Sequence, residues 1–179
     1  RNILGRKTGH ESKVFTDFSE KRYESFRKQK VNLEEEERNP DKLEGEEKKN
    51  FLKGAEIAYE TIITSFAKGD QKKLDELLTR DMASNFKQAI NERNKHGIKS
   101  ELTFISMKES DLEKYEKVKT NLYATVKFVS EIISVKKDKS NKVIEGNPDR
   151  IKTVTDHWKF TKNILNKSPN WYLTEITSK

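Results

Sequence analysis

Between Val154 and Phe160 the chain alternates with a period of two. Val154, Asp156, Trp158 and Phe160 share one face, and Thr155, His157 and Lys159 share the other. A short loop carrying Ser168-Pro169-Asn170 leads into a second such segment from Trp171 to Ile176. Alternation of this kind, with an indole in each segment, describes strands pressed on one side into a core. The expected strands run from about Ile151 to Ile164 and from Trp171 to Ile176. An earlier strand alternates Leu122, Ala124, Val126 and Phe128 with Tyr123, Thr125 and Lys127. Another starts at Leu102 and Phe104 and continues irregularly towards Tyr115. Asp138-Lys139-Ser140-Asn141 and Gly146-Asn147-Pro148-Asp149 are turn clusters, with only Val143 and Ile144 as apolar content between them.

A sheet with one apolar face needs a cover, and the preceding segment supplies it. From about Glu47, Phe51, Ala55, Ala58, Ile62 and Phe66 recur at helical spacing, and Tyr59 and Ile63 widen the stripe. Gly69 ends this helix and Asp70 caps a short one carrying Leu74, Leu77 and Leu78. Thr79 and Asp81 open a third, buried through Met82, Phe86, Ala89 and Ile90 and closed by His96-Gly97. Helices first and antiparallel strands after is an α+β order, with the helices gathered on one face of a curved sheet.

Only 32% of the 179 residues are hydrophobic and 37% are charged, so the whole length cannot be packed. The division expected is a solvated arm over 1–46 and a compact domain over 47–179. Within the arm, Thr16 caps a helix with Phe15, Phe18, Tyr23 and Phe26 on one side. Arg6, Lys7, Lys13, Arg22, Arg27, Lys28 and Lys30 make its surroundings basic. Glu34 to Glu37, Asn39-Pro40-Asp41 and Gly45 then form an acidic, turn-rich linker. A net charge of +7 favours anionic partners. The arm suits an anionic phospholipid surface, its rings among acyl chains and its charges among headgroups. The competing arrangement packs those rings on the domain or on a second copy. No apolar run reaches the roughly 20 residues needed to span a bilayer. The chain opens on Arg1, so an upstream anchor is an expectation, and basic residues after an anchor favour the cytoplasmic side.

Several stretches together resemble the bacterial Tim44-like family, relatives of the peripheral subunit of the mitochondrial inner-membrane protein translocase. They are LGRKTGHE from Leu4 to Glu11, FLKGAEIAYETIITSFAKGD from Phe51 to Asp70, VKFVSEIISV from Val126 to Val135, and the two Trp segments. Phe86, Ala89, Ile90, Arg93 and Gly97 match the spacing of the family's third helix. The resemblance implies a cone-shaped fold related to nuclear transport factor two. It also implies a non-catalytic adaptor at the cytoplasmic face of a bacterial inner membrane, with a protein partner of translocase or chaperone type. The chain is shorter ahead of the core than mitochondrial members, so recruitment of the matrix heat-shock chaperone is not carried over.

Two sites follow from this reading. Ile62, Phe66, Phe86, Val126, Phe128, Trp158 and Phe160, with Asp156, would line an apolar pocket fit for an acyl chain or an apolar side chain. The competing reading makes the same residues a closed core, since aromatic stripes more often pack than bind ligands. The enzyme alternative uses Asp156 as a buried general base, as isomerases and dehydratases of the cone fold do. It lacks a second convergent polar group, because His157 falls on the opposite face and His10 and His96 have no companion. A buried Asp is then expected to be held by a backbone, Arg or Lys donor. With no cysteine, zinc motif, calcium loop or glycine-rich phosphate loop, no metal or cofactor is implied. Nucleic acid is not expected as a partner, since Trp158, Trp171, Phe128 and Tyr123 are directed mostly into the core and form no stacking platform.

Overall fold

The computed structural model describes residues 42–177. Helix α1 (Gly45–Lys68) turns Ala55, Tyr59, Ile62, Ile63 and Phe66 inward. It starts two residues before the expected boundary at 47. At its end Gly69 takes φ 75°, a conformation that spares only glycine a steric penalty. The Gly69 N–H donates to the Phe66 carbonyl at 3.1 Å and the Asp70 N–H to the Ser65 carbonyl at 2.9 Å. These paired bonds satisfy carbonyls that the helix itself cannot. Asp70 then caps α2 (Gln71–Asp75), its Oδ1 accepting from the Lys73 N–H at 3.2 Å.

Helix α3 (Arg80–Lys95) buries Met82, Phe86, Ala89, Ile90 and Arg93. Thr79 stands at its N-cap, but its side chain makes no capping bond. Its backbone N–H goes to the Leu173 carbonyl at 3.0 Å instead, and the Leu173 N–H donates to the Leu77 carbonyl at 2.9 Å. The link between α2 and α3 is thereby stitched to the last strand.

The strands are β1 (Lys99–Val118), β2 (Asn121–Lys137), β3 (Val143–Gly146), β4 (Lys152–Asn163) and β5 (Tyr172–Thr177). They form one open antiparallel sheet in the order β1-β2-β4-β5, with β3 beside the far end of β2. The α+β class and the antiparallel sheet under helices are those expected. Strand β1 does continue past Tyr115, and its irregularity consists of register shifts at Phe104/Ser106, Met107/Glu109 and Leu112/Lys114. Bulges of this kind bend a strand and increase its twist.

Strand β3 is one element that the turn reading does not contain. It has no alternation to betray it: Val143 and Ile144 are both exposed. Its order comes from pairing with Val135 to Lys137 of β2. It ends on Gly146 at φ 83°, where a β-carbon would lie 2.0 Å from the Ser134 carbonyl oxygen.

Val126, Phe128 and Ile132 of β2, Val154, Trp158 and Phe160 of β4, and Leu173 and Ile176 of β5 meet the helices in one core. The Tyr59 ring lies 4.6 Å from both the Phe128 and the Trp158 rings. The opposite face of the sheet is polar. There His157 Nδ1 meets Glu113 Oε1 at 2.7 Å and Lys159 pairs with Glu175 at 3.1 Å. The two indoles differ: Trp158 is fully buried, while Trp171 precedes β5 and is only half-buried.

Candidate functional site

A cleft of about 760 Å³ opens between the first half of α1 and one end of the sheet. Its helical wall is Phe51, Gly54, Ala55 and Ala58, extended by Leu43, Glu47 and Asn50 at the start of α1. Small side chains create the space, and a β-carbon at Gly54 would meet nothing within 4 Å. Tyr115, Leu122, Phe160 and Lys162 form the sheet wall. Pro169, Asn170 and Trp171 close one side, with Glu76 and Leu77 beside them. Phe51 stands edge-on to Trp171, centroids 4.9 Å apart, and 6.4 Å from Phe160. Tyr115 lies 6.3 Å from Trp171. Four aromatic rings therefore frame the cleft, and Glu47, Asn50, Glu76, Lys162 and Asn170 add polar groups to its lining.

Of the residues proposed as a pocket, Phe160 alone lines this cleft. Ile62, Phe66, Phe86, Val126, Phe128 and Trp158 belong to the close-packed core. The sequence reading missed Phe51, Gly54, Ala58, Tyr115, Leu122 and Trp171 as lining. The usable signal was the Lys53-Gly54-Ala55 step, because a glycine in mid-helix leaves room beside the large Phe51.

Asp156 is fully buried beneath α1. Its Oδ2 accepts a hydrogen bond from Tyr59 Oη at 2.6 Å, and Tyr59 Oη also lies 2.9 Å from Ser130 Oγ. A tyrosine, a donor that the sequence did not name, is thus bonded to this carboxyl. Burial pushes the Tyr59 hydroxyl well above its ordinary range; the charge of Asp156 and the bond to it raise it further, and Ser130 opposes them. The phenol accordingly stays a neutral donor. None of Tyr59, Ser130 and Asp156 lines the cleft. A general base must reach its substrate, and this carboxyl faces packed rings.

Among the described residues no group of His, Asp and Glu is arranged to hold a metal, and no helix is long and apolar enough to cross a membrane. His96 pairs with Glu92 one helical turn away at 3.2 Å, an exposed contact. The arm residues Arg6, Lys7, Lys13, Phe15, Phe18, Arg22, Phe26, Arg27, Lys28 and Lys30 lie outside the described residues.

The model of the Tim44-like domain matches residues 45–178, which is the folded unit from α1 through β5. The chain belongs to the Tim44-like family. Membership relates it to the membrane-associated, non-catalytic scaffolds of protein translocation that typify the family. Among solved structures it is similar to the intermembrane-space region of the chloroplast protein ARC6. That likeness has a TM-score of 0.46 and 16% identity, over 72% of this chain and 97% of the other. No curated protein matches the chain. The Tim44-like domain here thus carries an aromatic cleft at one end of its sheet, distinct from its buried Tyr59–Asp156 pair.

Proposed function

We propose that this protein is a non-catalytic scaffold that works against an anionic membrane and holds a protein partner there. Its basic, phenylalanine-bearing arm over residues 1–30 contacts acidic phospholipid. The Tim44-like domain offers its cleft to an apolar group, an acyl chain or a side chain of the partner. We infer a translocase or chaperone component as that partner. The cytoplasmic face of a bacterial inner membrane is the inferred location, on the argument that basic residues are retained on that side.

The observation that carries the proposal is the cleft itself. Rings of Phe51, Tyr115, Phe160 and Trp171 surround about 760 Å³ in a domain of a translocase-related family. Such walls favour apolar ligands through buried area, with a few polar groups to orient them.

The test is flotation of the full chain with vesicles of phosphatidylglycerol and phosphatidylcholine. Binding is expected with the mixture, weak binding with phosphatidylcholine alone, and a sharp drop when Arg22, Arg27, Lys28 and Lys30 are replaced together by Glu. Each basic residue near such a surface contributes about 1 kcal/mol, so four reversals remove most of the attraction. Undiminished flotation of that variant would refute the role of the arm.

A further inference from the structure

Where β2 begins, the β1–β2 turn and the β4–β5 loop meet. The Ile164 N–H donates to the Thr120 carbonyl at 2.8 Å. Asn163 Nδ2 reaches Thr120 Oγ1 at 3.3 Å and Asn121 Oδ1 at 3.1 Å. Within the loop the Leu165 N–H bonds Asn163 Oδ1 at 2.8 Å, and the Ser168 N–H bonds Asn166 Oδ1 at 3.0 Å. Backbone and asparagine groups thus fix the shape of the loop, and the side chains of Ile164 and Leu165 take no part in these bonds. Those two side chains project outward, Ile164 45% and Leu165 76% exposed. An isoleucine–leucine pair held out by a braced loop is an apolar tip.

Positive charge surrounds it. Lys117, Leu122 and Lys162 stand side by side across the sheet, as the pairing of β1, β2 and β4 dictates. Lys119 in the turn and Lys167 in the loop are both exposed. Of the carboxylates at this end, Glu116 is engaged by Lys114 at 3.0 Å, while Glu47 and Glu76 stand on the helical side of the cleft, across from the loop's lysines. Leu122 and Lys162 also line the cleft, along with half-buried Tyr115 and Trp171, so tip and cleft adjoin at one end of the sheet. Aliphatic side chains ringed by lysine, with Trp and Tyr just behind, match the layering of a bilayer interface. A convex tip of two side chains fits a deformable apolar phase, whereas a protein partner would need a matching concavity.

We propose that the β4–β5 loop is a second lipid-contacting element. Ile164 and Leu165 enter the acyl boundary of an anionic bilayer while Lys117, Lys119, Lys162 and Lys167 lie among the headgroups. The cleft then lies beside the membrane contact. This inference rests on the membrane reading above and adds a contact site to it.

The chain contains no cysteine, so a single thiol can be placed and labelled cleanly. A polarity-sensitive dye is attached to the full chain through Leu165→Cys, and in parallel chains through Phe18→Cys and Ile57→Cys, position 57 being 69% exposed on α1. With phosphatidylglycerol–phosphatidylcholine vesicles, the dye at 165 is expected to shift to the blue and to be quenched by lipids brominated on their acyl chains. The dye at 57 is expected to stay in water. A shift at 18 with none at 165 overturns the loop proposal, keeps the arm reading and leaves the tip to a protein partner. A shift at 165 with none at 18 supports the loop and overturns the arm. Failure at both positions, without flotation, overturns both. As a second variant, Ile164→Asp with Leu165→Asp is expected to lower partitioning into the same vesicles by on the order of tenfold. Unchanged partitioning would overturn the proposal.

Discussion

At the scale of the residue, Tyr59 is fully buried and held at both its ring and its hydroxyl. Its ring packs between Phe128 and Trp158, and its hydroxyl serves Asp156 and Ser130 in a site closed to water. The phenol keeps its proton in the folded state at pH values where an unfolded tyrosine, with a pKa of about 10, releases it. The folded-state value is raised, so the stability it contributes is full below about pH 10 and drains away as pH climbs towards that value. Denaturant midpoints measured from pH 8 to 11 are expected to fall less steeply for Tyr59→Phe than for the parent. At neutral pH the variant is expected to lose about 1–3 kcal/mol, because a buried carboxyl loses a donor. Equal alkaline slopes would count against the account. Strand parity in the sequence put Asp156 inside, but its partner is 97 residues away on a helix, and no local pattern encodes a pairing at that distance.

Among the elements, helix ends carry much of the organisation. Arg93 of α3 is buried and donates through Nη2 to the carbonyls of Phe66 and Ala67, the latter at 2.9 Å. Its guanidinium also lies 5.1 Å from the centre of the Phe66 ring. A cation at the C-terminus of α1 meets the negative end of that helix's dipole while filling acceptors the helix leaves open. Arg93→Ala is expected to cost about 2–4 kcal/mol in denaturant unfolding, since charge-assisted bonds are worth about 1.5–3 kcal/mol each and are not fully additive. Arg93→Lys should recover only part of it, because an ammonium cannot reproduce the planar fork. Periodicity and Gly69 made α1 and α3 legible as helices in the sequence. The cross-helix cap was not: the resemblance marked Arg93 by its spacing, but nothing local encodes the carbonyls it reaches 26 and 27 residues away. Likewise β3 escaped notice, since its order is borrowed from β2 and its own four residues carry no alternation.

For the molecule as a whole, the cleft lies directly against the core: Ala55 and Phe160 belong to both, and Phe51, Ala58, Leu77 and Trp171 line the one while packing on the other. Gly54 lines the cleft without belonging to the core, and its position faces open space. Gly54→Ala is expected to stabilise the fold by about 1 kcal/mol in thermal or denaturant unfolding, the helix-propensity difference between the two residues. Gly54→Trp is expected to stay folded while filling the cleft and abolishing uptake of a fluorescent fatty acid. Uptake equal to that of the parent would show that the cleft is not the apolar site. The α+β order and the antiparallel sheet were readable from alternation and spacing alone. The cleft was not, because a void depends on how far a helix stands from a sheet, and stripes of apolar residues look alike whether they close or part.

The stitch between Leu78 and Leu173 joins residues nearly a hundred positions apart. During synthesis α1, α2 and α3 therefore leave the ribosome well before β4 and β5 emerge to complete the cover over their apolar faces. Until Leu173 has cleared the exit tunnel, the nascent helices remain substrates for whatever holds exposed apolar chains in the cell.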